Sequence, residues 1–199
     1  MDLALDPATT ALVMVDLQRG IARDTAPHAA DDVVARAATL AKALRGAGAT
    51  IVWVRVDNHP DGRDRLRPAI DNPGVERARP ADHAELMPAL DRDPADLVIT
   101  KRGWSAFHGT ELDLQLRRRG VQTIVLGGIS TNVGVETTAR AAYDHGYDQV
   151  LVEDAMSCRS PEEHAWTVQR VLPKVGRVRT TAEVRAAVEA AARAAAAHG

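Results

Sequence analysis

Cysteine is almost missing from this 199-residue sequence. Cys158 stands alone, which excludes an intramolecular disulfide framework and a multi-cysteine metal site. Aromatic residues make up only 3%, so the core has to be built from aliphatic side chains and from helices packed through alanine. There is no excess of charge of one sign. A net charge of −2 and an isoelectric point near 6.4 leave no field to hold nucleic acid or an anionic membrane, and Arg117, Arg118 and Arg119 form only one short basic run. Long hydrophobic runs are missing as well. The apolar stretch at residues 11–15 stops at Asp16 and has no basic leader, so neither a signal peptide nor a spanning segment is expected, and the expected compartment is the cytoplasm.

What is present is a regular alternation. Short apolar runs rich in Val and Ile occur at residues 11–15, 50–56, 97–100, 123–126 and 149–152, with a weaker sixth at 175–178. Runs that are apolar throughout suit strands buried on both faces of a parallel sheet. Between them lie helical patterns. Residues 31–45 repeat apolar positions at Val33, Val34, Ala37, Leu40, Ala41 and Leu44 before Gly46 and Gly48, and a helix over 132–145 should stop at Gly146. Three later starts carry capping signatures: Thr110 with Asp113, Ser160 with Pro161 and Glu163, and Thr180 with Glu183. The sequence therefore predicts a three-layer α/β/α, Rossmann-like fold with a six-stranded, mainly parallel sheet. Residues 1–199 read as one domain, a length that should bury roughly 70% of the unfolded surface.

Residues 57–94 break the pattern, with Pro60, Pro68, Pro73, Pro80 and Pro88 and only a short helical stretch at 82–90. A connection of this length is expected to wall a pocket, contact another subunit or cross the surface as a mobile loop.

Ligands of open α/β sheets sit beyond the carboxyl ends of the strands, which directs the search to the polar residues that end the apolar runs. Asp16 ends the first, where partial burial would perturb its proton affinity; the alternative is a cap for the next turn. Gln18, just beyond, could bond substrate or backbone. Lys101 ends the third, where a cation could pair with Asp16 and orient an anionic or carbonyl substrate, or simply face solvent. A small-residue turn over 127–134 could offer backbone amides to an oxyanion, or serve only tight packing. Asp154 reads as a structural cap and Cys158 as a small buried hydrophobe.

Four motifs fall in order at these places: Val15-Asp16-Leu17-Gln18, Lys101-Arg102-Gly103-Trp104-Ser105-Ala106-Phe107, Gly128-Ile129-Ser130-Thr131-Asn132-Val133-Gly134-Val135 and Glu153-Asp154-Ala155. Together they resemble the isochorismatase-like, or cysteine hydrolase, superfamily from Leu12 through Arg179. The resemblance implies catalytic roles for Asp16 and Lys101. It implies an oxyanion turn with backbone amides from Ser130 and Gly134 and a cis peptide between Ile129 and Ser130, and substrate contacts from Gln18, Trp104, Phe107, Thr131 and Asn132. It also implies a homodimer or higher homo-oligomer. Amidases of the superfamily carry a nucleophilic cysteine at the helix start after the fourth strand, and the matching position here is Gly134.

Glycine has no side chain, so the covalent acyl route is closed at that site. Isochorismatases resemble this chain in that glycine, although Ser130-Thr131-Asn132 stands where they generally carry Tyr-Ala-His. The expectation is a cofactor-independent hydrolase acting through Asp16 and Lys101 on a small anionic metabolite such as a vinyl ether. The alternative is a silent small-molecule-binding or regulatory protein of the same fold. No metal is expected: Asp57-Asn58-His59 resembles the start of a nicotinamidase-type site, but further histidines are not at the matching spacing and His83 lies far along the loop.

Overall fold

The computed structural model describes residues 3–72 and 79–198. Its centre is six strands: β1 (Thr10–Val15), β2 (Thr50–Val56), β3 (Leu97–Lys101), β4 (Thr123–Ile129), β5 (Asp148–Ser157) and β6 (Arg177–Arg179). They form one sheet in the order β3-β2-β1-β4-β5-β6, and every neighbouring pair is parallel. The helices are α1 (Ala30–Gly46), α2 (Leu112–Arg118), α3 (Glu136–Asp144), α4 (Pro161–Trp166) and α5 (Thr181–His198).

β1 explains why the apolar runs are continuous. All six of its residues are buried, and successive side chains point to opposite faces. Leu12 and Met14 pack with Leu40 and Leu44 of α1 and Val184 of α5; Ala11, Val13 and Val15 pack with Leu112 and Leu116 of α2 and with Ala139 and Ala142 of α3. The strand order reverses beside β1, which lies between β2 and β4. A crevice is expected at the carboxyl ends of strands at such a reversal.

The capping signatures act much as read. The Glu163 amide donates to Ser160 Oγ at 3.2 Å, with Pro161 in the first turn. Glu183 Oε2 accepts from the Thr180 amide, and the Glu183 amide donates to Thr180 Oγ1. Asp154 is the structural cap expected, accepting from the Thr181 amide at 2.7 Å and from Thr181 Oγ1 at 2.9 Å.

Several boundaries differ. α2 starts at Leu112, whose amide donates to Thr110 Oγ1. The helix expected over 132–145 divides into a wide π turn at Thr131–Val135 and then α3. β5 runs on to Ser157, past Asp154, and β6 falls at Arg177–Arg179 rather than 175–178. Within 82–90 only Pro88–Leu90 forms a helical turn; Pro73 of the same connection lies outside the described residues.

The main correction concerns Gly127 and Gly128, which lie inside β4 rather than in a turn. A Cβ on Gly128 would lie 2.1 Å from the Val15 carbonyl oxygen, and its φ of 123° is closed to other residues. A Cβ on Gly127 would lie 2.7 Å from the Ala155 carbonyl oxygen. The pair lets β4 close onto β1 and β5, where the β4–β5 register shifts. Gly128→Ala is expected to lower the unfolding free energy by about 3 kcal/mol or more. Urea denaturation measures this, and a loss below about 1 kcal/mol would show that the strands can separate to admit a methyl group.

Candidate active site

Asp16 follows β1 directly, with φ of 55° in the left-handed region. Its amide donates to the Val54 carbonyl at 2.8 Å and its carbonyl accepts from the Gln18 amide at 2.8 Å. The chain therefore turns sharply at a carboxylate, an arrangement that Asp tolerates better than most residues. Gln18 stabilises the turn. It is fully buried; Nε2 donates to the carbonyls of Val56 and His83, and Oε1 accepts from the Val56 amide. All of these bonds go to backbone, and they join the end of β2 to the long connection.

Lys101 ends β3, two strands away from β1 and so about 10 Å off at ordinary strand spacing. Only a long side chain can cross the end of β2. Lys101 does so while 1% exposed, and its Nζ donates to Asp16 Oδ2 at 2.8 Å and to the Trp104 carbonyl at 2.7 Å. Asp16 Oδ1 is buried and has no hydrogen-bond partner among the described residues. Burial raises the Asp16 carboxyl, and the charge and hydrogen bond of Lys101 lower it. Burial dominates, pushing the group up to about 6.

The two residues line a cavity of about 320 Å³ that also takes in Ser130, Val133 and Gly134. The peptide between Ile129 and Ser130 is cis, as the resemblance implies. At Gly134 a Cβ would lie 3.2 Å from Lys101 Nζ and 3.3 Å from Asp16 Oδ2. The helix start thus opens onto the ion pair, and glycine there leaves the space beside it free.

Trp104 reaches this cavity and is 65% exposed. Phe107, Thr131 and Asn132 do not contribute to the lining. Phe107 is buried and stacks on the His145 ring at 4.9 Å, beside Tyr147, because the turn after Trp104 directs it into the α2–α3 side of the core. Thr131 is buried, with Oγ1 2.9 Å from His164 Nδ1. Asn132 Nδ2 donates to Glu163 Oε2, and the residue lines a shallow recess with Trp166. Cys158 is buried against the Ser160 carbonyl, where burial pushes the thiol above its ordinary value.

Three residues were not legible in the sequence. Arg23, Arg79 and Arg159 come from separate connections and line the same cavity. With Lys101 they give it a cationic wall. Arg79 belongs to the long connection, so that segment does wall the pocket. Asp57 and His59 line a second cavity of about 360 Å³ with His83. His59 Nδ1 is 2.7 Å from Asp61 Oδ1. Among the described residues, Asp57, His59 and His83 do not bring three ligand atoms within reach of one ion.

The isochorismatase domain matches residues 10–183. The chain belongs to the isochorismatase family. It is 44% identical over 183 residues to the isochorismatase family protein YecD of Escherichia coli, covering 92% of this chain and 97% of that one. It is 33% identical over 189 residues to the ureidoacrylate amidohydrolase RutB of Methylobacterium radiotolerans, covering 80% and 71%. The structure of an isochorismatase family protein from Burkholderia thailandensis superposes with a TM-score of 0.90 at 43% identity, over 95% of this chain and all of that one. Membership places the chain among isochorismatase-like hydrolases with an α/β fold. No described helix is long and apolar enough to cross a membrane.

The balance at Asp16 can be measured. Carbon-13 NMR of the carboxyl should give a midpoint near 6 in the native chain. In Lys101→Met, which removes the lowering cause, the midpoint should move up; an unchanged or lower midpoint would show that the ion pair does not control this group.

Proposed function

We propose that this isochorismatase-family chain is a hydrolase that works without a covalent intermediate, with Asp16 as general acid, on a small anionic metabolite such as a carboxyvinyl ether. One observation carries the proposal: a buried carboxyl with a raised pKa, its Oδ2 on Lys101 Nζ at 2.8 Å and 3.3 Å from where a Cβ on Gly134 would lie, beside an open glycine position. Such a group is protonated in part of the molecules near neutral pH, and its Oδ2 borders the open space at Gly134, into which a proton can be delivered.

In this chemistry Asp16 protonates the terminal carbon of the enol ether, and the adjacent carbon becomes an oxocarbenium centre. Water adds there and returns its proton to the Asp16 carboxylate. The hemiketal then collapses, breaking the carbon–oxygen bond to give an alcohol and a 2-oxo acid. Lys101, held by Asp16 and the Trp104 carbonyl, presents positive charge to the substrate anion. Arg23, Arg79 and Arg159 supply more around the cavity. The substrate carboxylate also screens Lys101 from Asp16 and so helps to keep the acid protonated.

RutB is named for cleaving an amide, ureidoacrylate. A covalent version of that reaction needs a nucleophile at the helix start, where Gly134 offers none. Loss of catalysis altogether would leave a small-molecule-binding protein with the same pocket.

Asp16→Asn should reduce turnover of a carboxyvinyl ether by about 10²- to 10⁴-fold with the fold intact by circular dichroism. Wild-type levels of turnover in this variant would overturn the assignment. Because the acid acts protonated, kcat/KM should fall as pH rises through about 6. A rate that rises through that range would indicate a base instead. Binding of the ether without consumption would support the non-catalytic alternative.

A further inference from the structure

Outside the cavity, three ligand-type side chains from different parts of the chain converge. His28 precedes α1, Glu153 lies on β5 and His164 lies on α4. One ligand atom from each is within 4.8 Å of the other two. We propose that His28, Glu153 and His164 form a binding site for a divalent transition cation of the Zn²⁺ type.

Two imidazoles and one carboxylate suit this ion, and water can complete the coordination. Zinc ligated at about 2.0–2.1 Å holds neighbouring ligand atoms a little over 3 Å apart in a tetrahedron. His28 Nε2 and Glu153 Oε2 are already 3.7 Å apart, so small side-chain rotations close the set.

The ring of His164 is also held in place. Its Nδ1 is 2.9 Å from the buried Thr131 Oγ1, which leaves Nε2 to bind the ion. A partner on the second ring nitrogen is the usual support for a ligating histidine. His28 is fixed through its backbone: its amide donates to Ser157 Oγ and its carbonyl accepts from it. The two rings meet edge to face at 5.5 Å.

An ion here would connect β5, α4 and the segment before α1. Through His164 and Thr131 it would also bear on the helix start that carries Gly134. The expectation that the chain has no metal rested on Asp57 and His59, which lie elsewhere.

The test uses Zn²⁺ itself, titrated calorimetrically into the full chain after chelator treatment. One equivalent should bind, and saturating Zn²⁺ at about 100 times Kd should raise Tm by several degrees. His164 is buried, so the variants are His28→Gln and Glu153→Gln, both at partly exposed positions. Each should fold as the parent does by circular dichroism and lose the bound equivalent and the Tm rise. Co²⁺ in place of Zn²⁺ should give the intense visible absorption of a tetrahedral site in the parent alone. Absence of stoichiometric binding in the parent, or parental affinity in either variant, would overturn the proposal. None of these readouts depends on turnover, so failure here would leave the assignment of Asp16 untouched.

Discussion

The contact between Asp16 and Lys101 is the constraint around which the rest of the site is arranged. Removing two charged groups from water is penalised by several kcal/mol each, and the penalty is met only where their remaining polar atoms find partners. Lys101 has two, the Asp16 carboxylate and the Trp104 carbonyl. Among the described residues, Asp16 has no hydrogen-bond partner on Oδ1. That asymmetry leaves the carboxyl underserved, so burial outweighs the attraction of the lysine and the group holds its proton to a higher pH than a surface aspartate would. A fully satisfied pair would be a structural ion pair, whereas this one keeps a carboxyl whose Oδ2 borders the open space at Gly134.

The sheet supplies the geometry. Because β2 lies between β1 and β3, the two charges can meet only across a strand end. Because β4 lies on the other side of β1, the helix start bearing Gly134 faces them from the opposite side. Gly128 allows the closest approach, where Val15 leaves no room for even a methyl group. Gln18 closes the remaining side by binding the end of β2 and the backbone of His83. None of these residues need touch a substrate to be required by the site.

The same distinction shows what could be read from the chain. Strands and caps were legible because they depend on local pattern: runs apolar on both faces, and Ser160 or Thr180 followed three residues later by an acid. Asp16 and Lys101 were legible because a charge that ends such a run has few places to go. Gly127 and Gly128 were read as a turn, since their reasons are distant backbones: that of β5 for Gly127 and that of β1, more than 100 residues earlier, for Gly128. Phe107, Thr131 and Asn132 lie within motifs that reach the site, but a motif does not give the direction of each side chain. Arg23, Arg79 and Arg159 carry no motif and meet only in three dimensions. His28, Glu153 and His164 are separated in the sequence in the same way.

The central claim is that Asp16 gives its proton to carbon, with no group of the protein bonded to the substrate. Turnover of a carboxyvinyl ether in D₂O, followed by mass spectrometry of the 2-oxo acid and of the protein, addresses it directly. The account predicts one deuterium in the methyl group of the product and an unmodified protein mass throughout. A product with no deuterium in that methyl group, or a covalent adduct on the chain, would contradict it.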